Sequence, residues 1–535
     1  MTANLVLYNG NIRTLDENNP LTTAVAIRDD TILAAGSDQE MRQLLSPNGQ
    51  EVDLQGATVT PGLVDAHVHF RWFAQSLQQV DVYEVSSLAK ALERVAAKAA
   101  QKPAGDWLTG RGWKHELWAD PSFPTATDLD QVAPNHPVFL SDKSGHAGWA
   151  NSLALQLAGI TDDTADPSGG EIQRDAHGRA TGILFETAMK LVQSRIPEPT
   201  NAQIVAAMHD AQTACWEAGL TGVHDFDGPK CFRALQTLHN SGDLGLRVYK
   251  NIPAAYLDQA IDLGLQTDFG DEFLRIGGIK IFADGALGAQ TALMVEPYSD
   301  NPDNIGITVT SKEEMYAIAS KASAHGLSVT VHAIGDKAVR NILDVYETVR
   351  QEEAERNETA PLRHRIEHVQ IYHPADKNRL GELNIIASMQ PKHATSDMEM
   401  ADKFWGKRAT YSYAWRDMLE SGAPLAFGSD CPVEPIDPLL GIYAAVARTR
   451  PASDYAPDGW YPEQALTMEE TIRAFTLGAA ETSGQTARFG TIAVGKAADL
   501  TIFDRDLWQV SHDELAQTKV VGTIVGGVFK FRATV

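Results

Sequence analysis

"TPGLVDAHVHF" occupies residues 60–70, and its reading decides how the middle of the chain is understood. Pro61 and Gly62 punctuate its start, and the apolar run that follows reads as a short buried strand. Residues two apart on a strand point to the same side, so His67 and His69 can present both rings to one spot. An imidazole pair alone fits packing or surface exposure equally well. Its meaning depends on what else arrives at the same place.

Downstream, similar apolar runs recur: "TGVHDFD" (221–227), "RIGGIKIFADG" (275–285), "LSVTVHAIGD" (327–336), "HRIEHVQIY" (364–372), "NIIASMQPKHA" (384–394) and "PLAFGSDCPV" (424–433). Between them lie stretches with apolar residues at helical spacing, among them residues 311–326, 336–356 and 467–482. Strand–helix alternation on this scale builds βα units and a parallel sheet. The number of strands suits an α/β fold of the (β/α)8, TIM-like barrel type, with a doubly wound open sheet the alternative on pattern alone. The first sixty residues and the C-terminal end are different. Both are β-branched runs cut by turn residues, as in "NLVLYNGNIRTLD" (4–16) and "KVVGTIVGGVFKF" (519–531). We expect residues 1–60 and 485–535 to form one small β-sandwich domain from both termini, with the barrel at 61–484. A Trp-, Pro- and Gly-rich insertion within about 71–210 is expected near the active-site face of the barrel.

Several of these runs carry a polar residue at or near their end: Lys280, His332, His368 and Asp430 join His67 and His69. In a barrel such positions line the C-terminal face, where active sites are built. Imidazole and carboxylate together suit zinc and related divalent ions. Taken singly, His332 reads equally well as a hydrogen-bonded core residue, and Asp430 as a turn cap. Lys280 inside "GIKIF" is harder to place, because burying its charge is costly unless it is paired or neutralised. Asp284 is its nearest acid along the chain. The six together are much less easily accidental than any one of them.

The totals narrow the function classes. With 535 residues and a net charge of −25, the chain lacks the basic footprint of a nucleic-acid binder or of a protein docking on anionic lipid. Its three cysteines show no CxxC spacing, which argues against a disulfide framework. No basic-plus-apolar leader or membrane-length apolar stretch is evident, so a cytoplasmic location is expected. The expected partner is a small-molecule substrate, and a homo-oligomer is left open.

In order, "TPGLVDAHVHF", the lysine strand, "VHAIGD", "IEHVQ" and "AFGSDCPV" resemble the metal-dependent amidohydrolase superfamily. "GRGWKHELW", "SGHAGWANSLAL", "GILFETA" and "IKIFADGALGAQTA" resemble its YtcJ-like branch, which includes N-substituted formamide deformylases. The resemblance spans essentially the whole chain. It implies His67, His69, Lys280, His332, His368 and Asp430 as metal ligands, for one or two divalent ions, zinc being the expected metal. Lys280 matches the lysine that becomes N6-carboxylysine in binuclear members. Asp430 matches the catalytic proton shuttle. The implied reaction is hydrolysis of an amide-type C–N bond by metal-activated hydroxide. Substrate contacts are expected from His146, which matches a branch motif, with Trp113, Trp118, Trp149, Glu186 and His393 as further candidates. The rival readings are a hydrolytic deaminase, a carbamate or ester hydrolase, a metal-independent isomerase, or a non-catalytic barrel that binds a small molecule.

Overall fold

A computed structural model describes residues 2–83, 85–356 and 362–533. Eight parallel strands follow one another in sequence order around a nearly closed barrel. They are β1 (Leu63–Val68), β2 (Leu220–Asp225), β3 (Arg247–Pro253), β4 (Leu274–Phe282), β5 (Val329–Ala333), β6 (Arg365–His368), β7 (Ile386–Met389) and β8 (Leu425–Phe427). Each of β1 to β7 is hydrogen-bonded to its successor in parallel register. Helices such as Pro229–Ser241, Lys312–Ala324 and Asp336–Glu355 make the crossovers. The open-sheet alternative is therefore excluded.

The seam between β8 and β1 is closed by single bonds rather than a ladder. Asp430 donates its backbone N–H to the His67 carbonyl at 2.7 Å, and His69 donates to the Cys431 carbonyl at 2.8 Å. The Asp65 carboxylate accepts from the Ser429 N–H at 2.9 Å. Gly428 makes this approach possible: a Cβ there would lie 2.5 Å from both the Asp65 carboxylate and the His67 nitrogen. The glycine of "FGSD" thus lets the two histidines and the aspartate share one end of the barrel.

Segments from the two ends of the chain pair with each other. Leu500–Phe503 runs antiparallel to Thr58–Pro61, inside a six-stranded sheet drawn from both ends of the chain. A four-stranded sheet of N-terminal strands accompanies it. Leu5, Leu7, Ile27 and Ile32 from the smaller sheet pack in one buried cluster with Val59, Leu500, Ile502 and Ile524 from the larger. These sheets and the barrel belong to one compact unit, the residues up to Phe73 and from Met208 onward.

Ala74–Ala207 forms a second compact unit. It has its own six-stranded mixed sheet. Trp113, Trp118 and Trp149 are buried in its hydrophobic core; of the two roles open to them from sequence, lining a pocket or filling a core, the structure shows the second. Each indole N–H is satisfied within the unit, by the carbonyls of Leu140, Val85 and Thr125 respectively. An indole that has spent its one polar atom on local backbone acts as a packing element. Among the described residues, no helix is long and apolar enough to cross a membrane.

Candidate metal centre

The C-terminal ends of β1, β4, β5, β6 and β8 bring the six expected side chains into one neighbourhood. One potential ligand atom each from His67, His368 and Asp430 lie within 4.8 Å of one another. Asp430 Oδ1 is 3.5 Å from His67 Nε2 and 3.4 Å from His69 Nε2. The His332 ring sits edge-on to that of His368, with centroids 4.6 Å apart. The Lys280 amine is held over the Phe226 ring at 4.6 Å and the Phe282 ring at 4.9 Å.

Strand alternation accounts for part of this convergence. On β4 and β5, Lys280 and His332 follow Gly278 and Thr330 on the same face. On β6, alternation would send His368 to the face opposite Glu367. Its left-handed backbone, φ 77°, breaks the alternation there. Asp430 is also left-handed, φ 60°, just beyond β8. Such conformations are uncommon for residues with side chains and recur at functional sites.

The hydrogen bonds on the far side of each imidazole select its free nitrogen. His67 Nδ1 donates to Glu367 Oε2 at 2.6 Å, His69 Nδ1 to Asp227 Oδ1 at 3.3 Å, and His368 Nδ1 to Gln390 Oε1 at 2.8 Å. Each acceptor keeps a proton on Nδ1, which leaves the Nε2 lone pair of His67 and His368 free and turns His69 Nε2 toward Asp430. His332 is reversed: its Nε2 donates to the Gly285 carbonyl at 2.9 Å, so Nδ1 is free. His67, His332 and His368 thus each commit one nitrogen and keep one lone pair open, which is what a metal site requires.

The electrostatics agree. Burial pushes His332 down to about 4 and carries His67 and His368 well below their ordinary value, so all three favour the neutral, ligating form. Burial opposes charge on His69 too, but Asp227 and Asp430 outweigh it and push it up to about 9. That position attracts positive charge. Burial likewise opposes ionisation of Asp430, yet the imidazoles of His67, His69 and His393 hold its carboxyl well below the usual range. Burial brings Lys280 down to about 8. Among the described residues its amine finds no hydrogen-bond partner, and neither do Asp430 Oδ1 and His393 Nε2. Asp284, the acid nearest Lys280 along the chain, instead accepts backbone N–H bonds from Leu293, Ile334 and Gly335. Buried polar atoms are normally satisfied, so three open ones in one neighbourhood suit a place for a cation and a water. The residues present thus suit a divalent metal.

The proposed substrate contacts divide. His393, on the helix Pro391–Trp405 after β7, places Nε2 3.9 Å from Asp430 Oδ2, and its ring stacks at 6.2 Å on that of His368. His146 and Glu186 belong to the second unit, where they are exposed and bonded to each other at 2.9 Å. Sequence reasoning missed Glu367, Arg365, Asp227 and Gln390, which hold the histidines from behind. All four lie inside quoted stretches, but nothing in their spacing marks them.

Comparisons with known proteins point the same way. The family model described as "Amidohydrolase family" matches residues 50–531. The chain is 34% identical to Protein LONG AFTER FAR-RED 3 of Arabidopsis thaliana, over 98% of this chain and 91% of that one. It is 32% identical to the putative amidohydrolase YtcJ of Bacillus subtilis, over 98% of each. It is 31% identical to the N-substituted formamide deformylase of Arthrobacter pascens, over 99% of this chain and 98% of that one. Among solved structures, an uncharacterized metal-dependent hydrolase from Pyrococcus furiosus superposes with a TM-score of 0.76 at 30% identity, covering 94% of this chain and all of that one (100%). The chain belongs to the amidohydrolase family, hydrolases that act on carbon–nitrogen bonds other than peptide bonds.

Proposed function

We propose that the protein is a metal-dependent hydrolase that cleaves an amide-type C–N bond of a small molecule, with Asp430 as its proton carrier. The observation that carries this reading is the meeting of His67, His368 and Asp430 ligand atoms within 4.8 Å. A bound divalent ion supplies Lewis acidity and lowers the pKa of water from about 16 toward ~7.

The remaining chemistry belongs to the chain. Asp430 is held ionised with one oxygen open, so it can take a proton from the attacking water. The same carboxyl can then return that proton to the departing nitrogen. His393 Nδ1 faces the Gln370 side-chain amide nitrogen at 3.3 Å, which leaves Nε2–H to donate toward a substrate oxygen. His67, His69, His332 and His368 would hold the metal. Lys280, near neutrality and unpartnered, is suited to carboxylation, which would provide two further ligand oxygens for a second ion. Zinc is the expected metal for this imidazole and carboxylate set.

The Arthrobacter relative's name makes N-substituted formamides the first substrates to try. Zinc-loaded protein should be assayed against formamides, other amides, carbamates, esters and aminated heterocycles. Release of formate and amine supports the reading. Ammonia release from a heterocycle, or ester turnover alone, would replace the amide assignment. No turnover of any class at full metal occupancy would sink it.

A further inference from the structure

We propose that Arg365 and Glu367, a buried ion pair inside the barrel, are positioning residues: Glu367 orients His67 toward the cation, and Arg365 fixes Glu367. This rests on the metal-dependent reading above. Barrel interiors are normally filled by branched aliphatic side chains. Here β6 places a guanidinium and a carboxylate two residues apart, both essentially fully buried. A buried ion pair is weak support for stability, since apolar side chains of similar volume often serve as well or better. Its presence calls for another reason.

The geometry supplies one. Arg365 Nη2 donates to Glu367 Oε2 at 3.0 Å, to the Ala66 carbonyl at 2.6 Å and to Ser388 Oγ at 2.8 Å. Its Nη1 meets His224 Nδ1 at 3.1 Å, and its Nε bonds to the other oxygen of Glu367. The guanidinium is therefore held from β1, β2 and β7 while it holds a carboxylate on β6. Glu367 Oε2 then accepts from His67 Nδ1 at 2.6 Å. An ionised carboxylate can only accept, so it forces the His67 proton onto Nδ1 and leaves Nε2 open toward Asp430. An amide at this position could donate instead, and would permit the tautomer that blocks Nε2. Carboxylate partners of this kind raise the ligand strength of metal-bound histidines, and removing them weakens metal binding about 10–100-fold.

The test uses Glu367→Gln and the apolar pair Arg365→Met with Glu367→Leu. Zinc affinity is measured by chelator competition, metal-free stability by thermal unfolding, and the His67 tautomer by 15N NMR of the metal-free protein. A positioning role requires that Glu367→Gln bind zinc about 10–100-fold more weakly while its metal-free fold is kept, at a lower Tm because Arg365 loses its counter-charge. It also requires loss of the His67 Nδ1–H signature, and the apolar pair should behave alike. Zinc affinity within about threefold of wild type in Glu367→Gln would overturn the proposal, as would an unchanged His67 tautomer. A loss of affinity that only accompanies loss of metal-free structure in Glu367→Gln would overturn it too; should the apolar pair fail to fold, Glu367→Gln decides. Wild-type protein that binds no zinc would defeat the metal-dependent reading instead, and the NMR result would still judge the His67–Glu367 contact.

Discussion

Asp430→Asn separates proton transfer from metal holding. Asparagine tolerates the left-handed region, so φ 60° at this position needs no rearrangement. The backbone bond from residue 430 to the His67 carbonyl, 2.7 Å, is untouched. What disappears is a charged oxygen within 3.5 Å of two imidazole nitrogens, and with it the only function asparagine cannot mimic, accepting a proton. General acid–base help is worth 10²–10⁴-fold, so the barrier should rise by about 3–5 kcal/mol. Four imidazoles remain to hold the ion, and most of the bound metal should stay. The assay is kcat on the best substrate from the panel above, with zinc content matched by elemental analysis. Turnover within about tenfold of wild type at equal zinc would refute the proton-carrier role. Loss of the zinc itself would show that Asp430 is needed first as a ligand.

Gly428→Ala should strip zinc from the protein, because its Cβ would collide with the Asp65 carboxylate and the His67 backbone at 2.5 Å; unchanged zinc content would contradict the close approach of β8 to β1. Trp113→Ala empties a fully buried position and should destabilise the Ala74–Ala207 unit by about 3–5 kcal/mol, read as faster hydrogen exchange within those residues while zinc content is kept. Glu353 gives a pH test away from the site. Burial opposes its ionisation, but His364, Arg350 and Ser323 outweigh it and hold its carboxyl down from 4.5 to about 2. A carboxyl depressed in the folded state stabilises above its unfolded pKa, and that contribution is lost as pH falls from 4.5 through about 2. Glu353→Gln should therefore be less stable than wild type at pH 7 by up to about 3 kcal/mol, with the gap closing toward pH 2. A gap that stays constant across that range would show that the ion pair contributes nothing.

The barrel was legible because its strands are fully buried and end abruptly on residues that do not belong in a core. Lys280 between isoleucines and His332 after "SVTV" are local contradictions of pattern, and such contradictions mark sites. Glu367 and Arg365 were not legible. In "HRIEHVQIY" alternating charged residues look like the solvated face of a half-buried strand, and only the closed barrel shows that this face points inward. His368 was identified from its motif, but its inward turn depends on a backbone angle that no spacing announces. The tryptophans left the choice open for a different reason. An indole lining a pocket and one filling a core have the same composition signature, and the difference lies in where the N–H is spent. Trp113 spends it on Leu140 within its own unit.

The central claim is that His67, His368 and Asp430, with their neighbours, hold a divalent ion. Elemental analysis of the purified protein, before and after chelation and zinc reloading, tests it most directly when wild type is measured beside His67→Ala and His368→Ala. Wild type should carry about one or two ions per chain, and each alanine variant should lose most of its metal while keeping the far-UV circular dichroism of the fold. Wild-type protein that takes up no divalent ion, or alanine variants that hold as much as wild type, would contradict it.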